Sequence, residues 1–570
     1  TSTSVPNPTA GNHTCTVSTY FGFTYHYCYN STTEPSLNLT SQGYTGLAYT
    51  AFTNNSPCQA ASPYAYTEVG FVTSTDFGVT WTNPKYLGNP VCTGVPDQNY
   101  SSAFQPSLTS LANGTFVLSY VEYNSSNSTG YYSPAPPNAP SCGTSNASRI
   151  VVTESYDNGG TWTTPHVLTA AEFNGASSTC PMDNFPSVRP RIAAIGDTVY
   201  VTWFNMTAPP PYIYYYGSVY SESSWFAASS DGGLTWTTPT SFLTIPSNIY
   251  GTLSNVAANP SVMVDPAGEV FVAYATNFGT TTICDQYCGT YYSATILIAT
   301  SVNNGTTFSY SHAADGVLYT WTNAYPPTFH DPMPSLAYNP VFDQVYLTYS
   351  GAVEGNYCIN QGPYGVYCYQ QDVSNVFFQN SSDHGLTWSN ATQLRPVYAG
   401  SNWESPAYNP SMAVDSSGRV HLQYAYEDES ICANITVPYV TYYCAPTQEI
   451  YVNSTDNGTT WTKPLVVSGE YSLSYGPYRE IWDGTFTSTL ALGSDVLLGW
   501  TRVLCPSIST SGCYLPAYVT APTLPSQSAQ VIASRLYLGV GLTLTFNSTT
   551  APVGTIWTVN IMGNIRAGPA

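Results

Sequence analysis

Glu404 and Glu480 stand just before segments of alternating apolar residues, with Asp483 close behind. Two carboxylates flanking a glycosidic bond can cleave it, one protonating the leaving oxygen and the other activating water or attacking the sugar. The competing reading is that these are solvated loop acids, or that Arg479, Glu480 and Asp483 neutralise one another locally. Arg189 and Arg191 occupy a matching position further upstream, beside Glu34, Gln105, Asp183, His330 and Asp331 at the other segment starts. A second acidic group, Glu427, Asp428 and Glu429, offers the hard oxygens that calcium takes, although its spacing fits no standard calcium loop. Cys284 and Cys288 have no histidine or second cysteine pair nearby, so no metal site is expected of them. No Ser/His/Asp set has motif context, and His26, His166 and His421 read as ordinary surface or strand residues. Apart from calcium, no cofactor is implied.

These residues are positioned by a repeat. The pattern Ser-x-Asp-x-Gly-x-Thr-Trp occurs at 74–81, 155–162, 229–236, 381–388 and 454–461, with a degenerate copy at 301–308. Its third-position residues are Asp76, Asp157, Asp231, Asn303, Asp383 and Asp456, spaced 72 to 81 residues apart. A constant period of that size means an array of equal units. Within each copy the Ser and Asp side chains suit a tight turn, and the glycine allows positive φ. Trp81, Trp162, Trp236, Phe308, Trp388 and Trp461 supply a ring to pack against the next unit. These aspartates therefore read as structural.

Between the copies lie seven hairpin patterns, alternating apolar residues around a Gly, Asp or Asn turn. They are Pro35–Phe52, Pro106–Tyr120, Pro190–Trp203, Pro260–Tyr274, Pro334–Tyr349, Pro410–Tyr424 and Thr485–Trp500. The motif resembles the Asp-box of the sialidase-like, BNR-repeat β-propellers, and the resemblance covers most of the chain. It implies an all-β propeller in which each box joins the third and fourth strands of a blade. Seven blades over 31–546 are expected, six being the alternative count. The seventh has no box. Its outer strands are expected from Ala529–Leu538 and Gly541–Phe546, or from the N-terminal arm (1–30) through Thr14–Tyr27.

The sialidase resemblance also implies three arginines clamping a substrate carboxylate, one of them in an FRIP-like motif, and a Tyr–Glu nucleophile. No FRIP-like motif precedes the first box. The candidate clamp reduces to Arg189, Arg191 and Arg479, among mostly acidic or neutral neighbours that repel an anionic sugar.

Composition sets the environment. Charged residues make up 8%, and the formal net charge is −21. That excludes nucleic-acid binding through a basic face. Scarce lysine with excess acid suits low pH, where carboxylates lose charge; a melting temperature that fell between pH 7 and 3 would argue against a warm, acidic habitat. The 14 cysteines pair with neighbours as Cys15–Cys28, Cys58–Cys92, Cys142–Cys180, Cys284–Cys288, Cys358–Cys368, Cys432–Cys444 and Cys505–Cys513. Glycosylation sequons stand at Asn12, Asn30, Asn38, Asn54, Asn99, Asn113, Asn124, Asn127, Asn146, Asn205, Asn380, Asn390, Asn434, Asn453 and Asn547; Asn304 and Asn457 lie inside box turns. Disulfides and sequons together point to an exported, extracellular or cell-surface protein. No signal peptide or 18-residue apolar run is visible, so Thr1 looks already processed.

Long segments between second and third strands are rich in Tyr and Pro, notably 122–142, 208–220, 354–371 and 426–444. They read either as a rigid contact surface for glycans or proteins or as armour against heat and proteolysis. The tail, Leu542–Gly563, resembles the opening hairpin of small Ig-like repeats in surface proteins of acidophilic archaea. A C-terminal extension (547–570) of that kind could donate a strand to a neighbouring copy, giving a filament or layer. Assembly unaffected by deletion of Thr550–Ala570 would remove that role.

Three function classes follow. The chain is a non-catalytic surface binder, a glycoside hydrolase on the same fold, or a polymerising structural subunit.

Overall fold

The computed structural model describes residues 2–4, 15–20, 23–28, 32–53, 66–88, 102–123, 148–168, 187–207, 221–242, 257–284, 288–319, 321–322, 328–329, 332–360, 366–394, 407–427, 446–468, 472–473, 487–504, 528–537, 556–561 and 564–569. Among them there are strands and turns and no helix. The strands form a seven-bladed β-propeller of four-stranded antiparallel blades. Blade 1 runs Thr32–Leu39, Thr45–Thr53, Tyr66–Ser74 and Lys85–Leu87. Blades 2 to 6 begin with Ser102–Ser110, Ser187–Ile195, Ala257–Val264, Ser335–Asn339 and Ala407–Val414, and blade 7 begins with Ser488–Leu492.

Blade 7 closes the ring. Its third strand is Ser528–Tyr537, and its outer strand is Ser2–Ser4 from the N-terminus. Thr14–Tyr27 does not take that place: Cys15–Tyr20 and Phe23–Cys28 pair with each other as a separate hairpin. Gly541–Phe546 lies outside the described residues. Beyond it, Ile556–Ile561 and Asn564–Pro569 form one more hairpin.

The core is partitioned among the joints between blades, because a sheet with one blade on each side must bury both faces. Seven apolar clusters each draw on two adjacent blades. At the closing joint Leu37, Leu47 and Tyr49 of blade 1 meet Leu497, Val531 and Ala533 of blade 7. Burying a side chain of this size contributes about 1.5–3 kcal/mol, so seven such clusters hold the ring without a central core.

The box turns join the blades on one face. In blade 2, Ser155 Oγ donates to Asp157 Oδ1 and accepts from Gly159 N, at 2.9 and 2.7 Å. Asp157 also receives Thr161 N and Thr161 Oγ1. The same set recurs around Asp76, Asp231, Asp383 and Asp456, and in part around Asn303. Trp162 then stands edge-on to Phe71 of blade 1, with ring centres 4.9 Å apart. Phe308 meets Phe226, and Trp461 meets Phe378, in the same way. Gly159 is required twice over: its φ is +88°, and a Cβ there would lie 2.1 Å from the Phe71 ring.

Strand direction separates the two faces. Inner-hairpin turns and boxes lie on one, while the second-to-third-strand and blade-to-blade segments attach on the other. On that second face the hairpins of blades 4 and 5 are long. They run Val270–Cys284 with Cys288–Ser301, and Gln344–Asn360 with Val366–Ser381, against nine-residue strands in blade 1. The two blades also merge into one sheet through Leu318 and Ala352.

Candidate functional site

The central mouth is built by a device at the start of the innermost strands. Glu34, Gln105, Arg189, Asn259 and Asn409 each precede a proline. All five have φ between 52° and 57°, in the left-handed region that non-glycine residues seldom adopt. A β-bulge follows at each, between Thr33 and Ser36, Phe104 and Ser107, Val188 and Arg191, Ala258 and Ser261, and Tyr408 and Ser411. Proline cannot donate to a sheet ladder, so a bulge is where it fits.

The bulge leaves a backbone N–H without a ladder partner, and the neighbouring blade supplies one. Gln105 N donates to Glu34 Oε2 and to Thr50 Oγ1, at 3.1 and 3.0 Å. Arg189 N donates to Gln105 Oε1 at 2.8 Å. Asn409 N donates to Ser350 Oγ, and Glu34 N to Thr501 Oγ1 across the closing joint. Thr50 Oγ1 donates to Glu34 Oε2 at 2.6 Å. The guanidinium of Arg189 donates to Asn259 Oδ1 and lies over the Phe204 ring. The side chains of Glu34, Gln105, Arg189 and Asn259 therefore link blades 1 to 4 in succession.

Electrostatics follow the burial. Burial pushes the Glu34 carboxyl up, against the hydrogen bonds from Thr50 and Gln105 and the charge of Arg189. Burial, then the like charge of Arg189, pulls Arg191 down to about 10, with Glu34 opposing. In blade 2 the Arg149 guanidinium grips Glu122 at 2.6 and 2.7 Å, where the second and third strands leave the blade. At this mouth one buried carboxyl, Glu34, stands among two guanidiniums, Arg189 and Arg191.

Of the sequence candidates, the structure brings together Arg189, Arg191, Glu34 and Gln105. Glu404, Glu480, Asp483, Arg479, Asp183, His330 and Asp331 lie outside the described residues, as do Asp428 and Glu429. His166 is exposed near Trp236. His421 sits fully buried in the second strand of blade 6. Its Nδ1 meets Tyr451 Oη at 2.8 Å and its Nε2 meets Asp415 Oδ2 at 3.2 Å. Burial pulls it down to about 4 against the pull of Asp415. An Asp–His–Tyr chain sealed from solvent has no substrate to act on and serves as internal bonding.

Sequence reading missed the bulge ring and a second buried carboxyl, Glu449. The signal for the bulges is the recurrent x-Pro at the start of five innermost strands, with a polar residue at x.

No known family profile and no curated protein matches the chain. Solved structures similar to it include a Hadza microbial sialidase, 13% identical with a TM-score of 0.37, over 83% of this chain and 63% of that one. A protein of unknown function from Dyadobacter fermentans is 13% identical with a TM-score of 0.38, over 89% and 95% of the two chains. An ulvan lyase is 12% identical with a TM-score of 0.36, over 68% and 78%. The chain thus spans less than two thirds of that sialidase. Identities of 12–13% carry no inference about activity.

Proposed function

We propose that this protein is a glycosylated, disulfide-stapled propeller of the cell surface that binds glycans or surface proteins without chemistry of its own, or packs into a surface assembly. The observation that carries the reading is the pair of long hairpins on adjacent blades. Their first strands, of 15 and 17 residues, outrun the nine-residue counterpart in blade 1. That extends the sheet by about 20–25 Å beyond the blade body, at about 3.3 Å per residue. The backbone register sets Tyr357 opposite Tyr369 and Cys358 opposite Cys368, and in blade 4 Cys284 opposite Cys288. Directly opposed antiparallel residues have Cα atoms about 4.5–5.5 Å apart, within disulfide range. The same holds for Cys15 and Cys28. Stapled, tyrosine-rich ribbons offer contact area at little entropy cost.

The mouth supports the non-catalytic half of the reading. Among the described residues, Glu34 and Glu122 are held by partners within the scaffold. A glycoside hydrolase remains the alternative, and it would rest on Glu404 and Glu480. The test combines a glycan array with a panel of fluorogenic glycosides, using the intact chain. Binding without turnover, weakened by Tyr357→Ala with Tyr369→Ala, is the expected result. Turnover abolished by Glu404→Gln or Glu480→Gln would make it an enzyme. Electron microscopy of the native surface then separates a dispersed binder from a lattice or filament subunit.

A further inference from the structure

On the face opposite those hairpins, the joint between blades 4 and 5 differs from its neighbours in chemistry. Asp265 and Glu269 flank the inner-hairpin turn of blade 4. His384 is the residue after the box aspartate of blade 5, with φ of 55°. Asp265 Oδ2, Glu269 Oε2 and His384 Nδ1 all lie within 4.8 Å of one another. His384 Nδ1 is 2.7 Å from Glu269 Oε2 and 3.9 Å from Asp265 Oδ2.

Asp265 is 1% exposed. Its Oδ1 accepts the Glu269 N–H at 2.7 Å, while its Oδ2 is buried and accepts no hydrogen bond. A buried carboxylate oxygen without a partner costs several kcal/mol unless something cationic meets it.

The equivalent positions in other blades show what is missing here. In blade 6 the matching aspartate is Asp415, whose Oδ2 meets His421 Nε2 and whose Oδ1 accepts Ser417 N, Ser417 Oγ and Arg419 N. Phe271 replaces that histidine in blade 4, and Glu269 replaces Arg419. Two cationic or donating side chains have become one aromatic ring and one more carboxylate. At the joint between blades 5 and 6 the same three places hold Asn339, Gln344 and Asn457. There the amides bond directly, Asn457 Nδ2 donating to Gln344 Oε1. The joint between blades 4 and 5 puts three potential ligands where its neighbour puts three neutral amides.

We propose that Asp265, Glu269 and His384 bind a divalent transition cation, Zn²⁺ by donor set, which ties blade 4 to blade 5. One imidazole nitrogen with two carboxylate oxygens is a donor set that zinc takes at about 2.0–2.2 Å. Ligand atoms around such an ion stand about 3.3–3.5 Å apart. The two measured separations, 2.7 and 3.9 Å, straddle that value. Glu269, a quarter exposed, has room to draw back. The other ring nitrogen, Nε2, faces Asp343 at 3.7 Å, and Asp343 is in turn held by Tyr338 Oη at 2.6 Å. At that distance there is no hydrogen bond, but Asp343 is placed to accept one from Nε2–H when Nδ1 takes a metal.

The rival arrangement is a protonated His384 paired with Glu269 alone. The experiment titrates EDTA-stripped intact protein with Zn²⁺ at pH 7, followed by calorimetry and thermal melting. Co²⁺ is the second probe, read by its visible absorption. The proposal expects one ion per chain, a melting temperature that rises with metal, and binding that weakens as pH falls and protons compete. His384→Asn and Asp265→Asn place the neighbouring joint's own residues here, so they keep the fold. Each should lower Zn²⁺ affinity by about 10-fold or more and abolish the Co²⁺ spectrum. Absence of saturable binding in the parent protein, or equal binding by both variants, overturns the proposal.

Discussion

Glu449→Gln should flatten the fall of stability between pH 4.5 and about 8. Glu449 lies in the third strand of blade 6, 4% exposed. Its Oε2 accepts Gln423 Nε2 at 3.0 Å, and its backbone N–H donates to Ser468 Oγ. Burial pushes its carboxyl from the ordinary 4.5 up to about 8, the Gln423 bond opposing. Gln423 Oε1 is buried and accepts no hydrogen bond, so a protonated carboxyl brings a donor to a pair that lacks one. The folded state therefore holds a proton that the unfolded state releases above pH 4.5. Stability from this group is fully present below 4.5 and is lost as pH rises toward 8, at about 1.4 kcal/mol per pH unit. Over the interval that amounts to about 3–5 kcal/mol. A glutamine at this position would keep an acceptor for Gln423, add a donor and never ionise. Urea unfolding of parent and variant at about pH 4.5, 6 and 8 gives the difference directly. Equal midpoints at the lowest pH and a variant advantage of a few kcal/mol at the highest are expected. Parallel curves across the range would falsify the reasoning, since Glu449 would then be ionised in the folded blade. Comparing two proteins that differ at one residue cancels the other titrating groups. His421 is among them and acts with the opposite sign: its folded value of about 4 against the ordinary 6.5 removes stability as pH falls through that window.

Two further predictions concern the boxes. Asp157→Ala removes the acceptor of Ser155 Oγ, Thr161 N and Thr161 Oγ1 and should cost about 1–3 kcal/mol, read as a lower urea midpoint with unchanged far-UV circular dichroism. The Thr161 N–H, then its hydroxyl, hold this carboxyl below 3.8, so the box contributes stability above that value and loses it on acidification; an alanine variant with an unaltered acid limb would refute this. Gly159→Ala combines positive φ with overlap on Phe71, whereas Gly43, at φ +85°, faces open space. Gly43→Ala should cost about 1 kcal/mol from backbone strain alone, and Gly159→Ala about 2 kcal/mol more from overpacking. Equal losses would mean that Phe71 gives way freely.

The chain's own residues were enough to determine the repeat and the box turns, while the choice of seven blades over six came with the closed ring. Ser155, Asp157, Gly159 and Thr161 bond to one another within seven residues, so the chemistry of that turn is complete in a short stretch of sequence. Alternation with period two is equally local, and it located the inner hairpin of every blade. Strand pairing at the ring's seam is different. Three residues at the N-terminus meet Ser528–Tyr537 more than 500 positions away, and no local pattern distinguishes them from the hairpin that follows. The mouth shows the same division. Arg189 and Arg191 were recognisable as charges at the start of a strand. That Arg189 N bonds Gln105 and its guanidinium bonds Asn259 depends on left-handed bulges in successive blades. His384 drew no notice in the sequence, where it is one variable position of a turn. Only closure of the ring sets it against Asp265 and Glu269, residues more than a hundred positions earlier. Local hydrogen bonding and side-chain alternation are written along the chain. Which charge meets which across a joint is decided by the packing of one blade on the next.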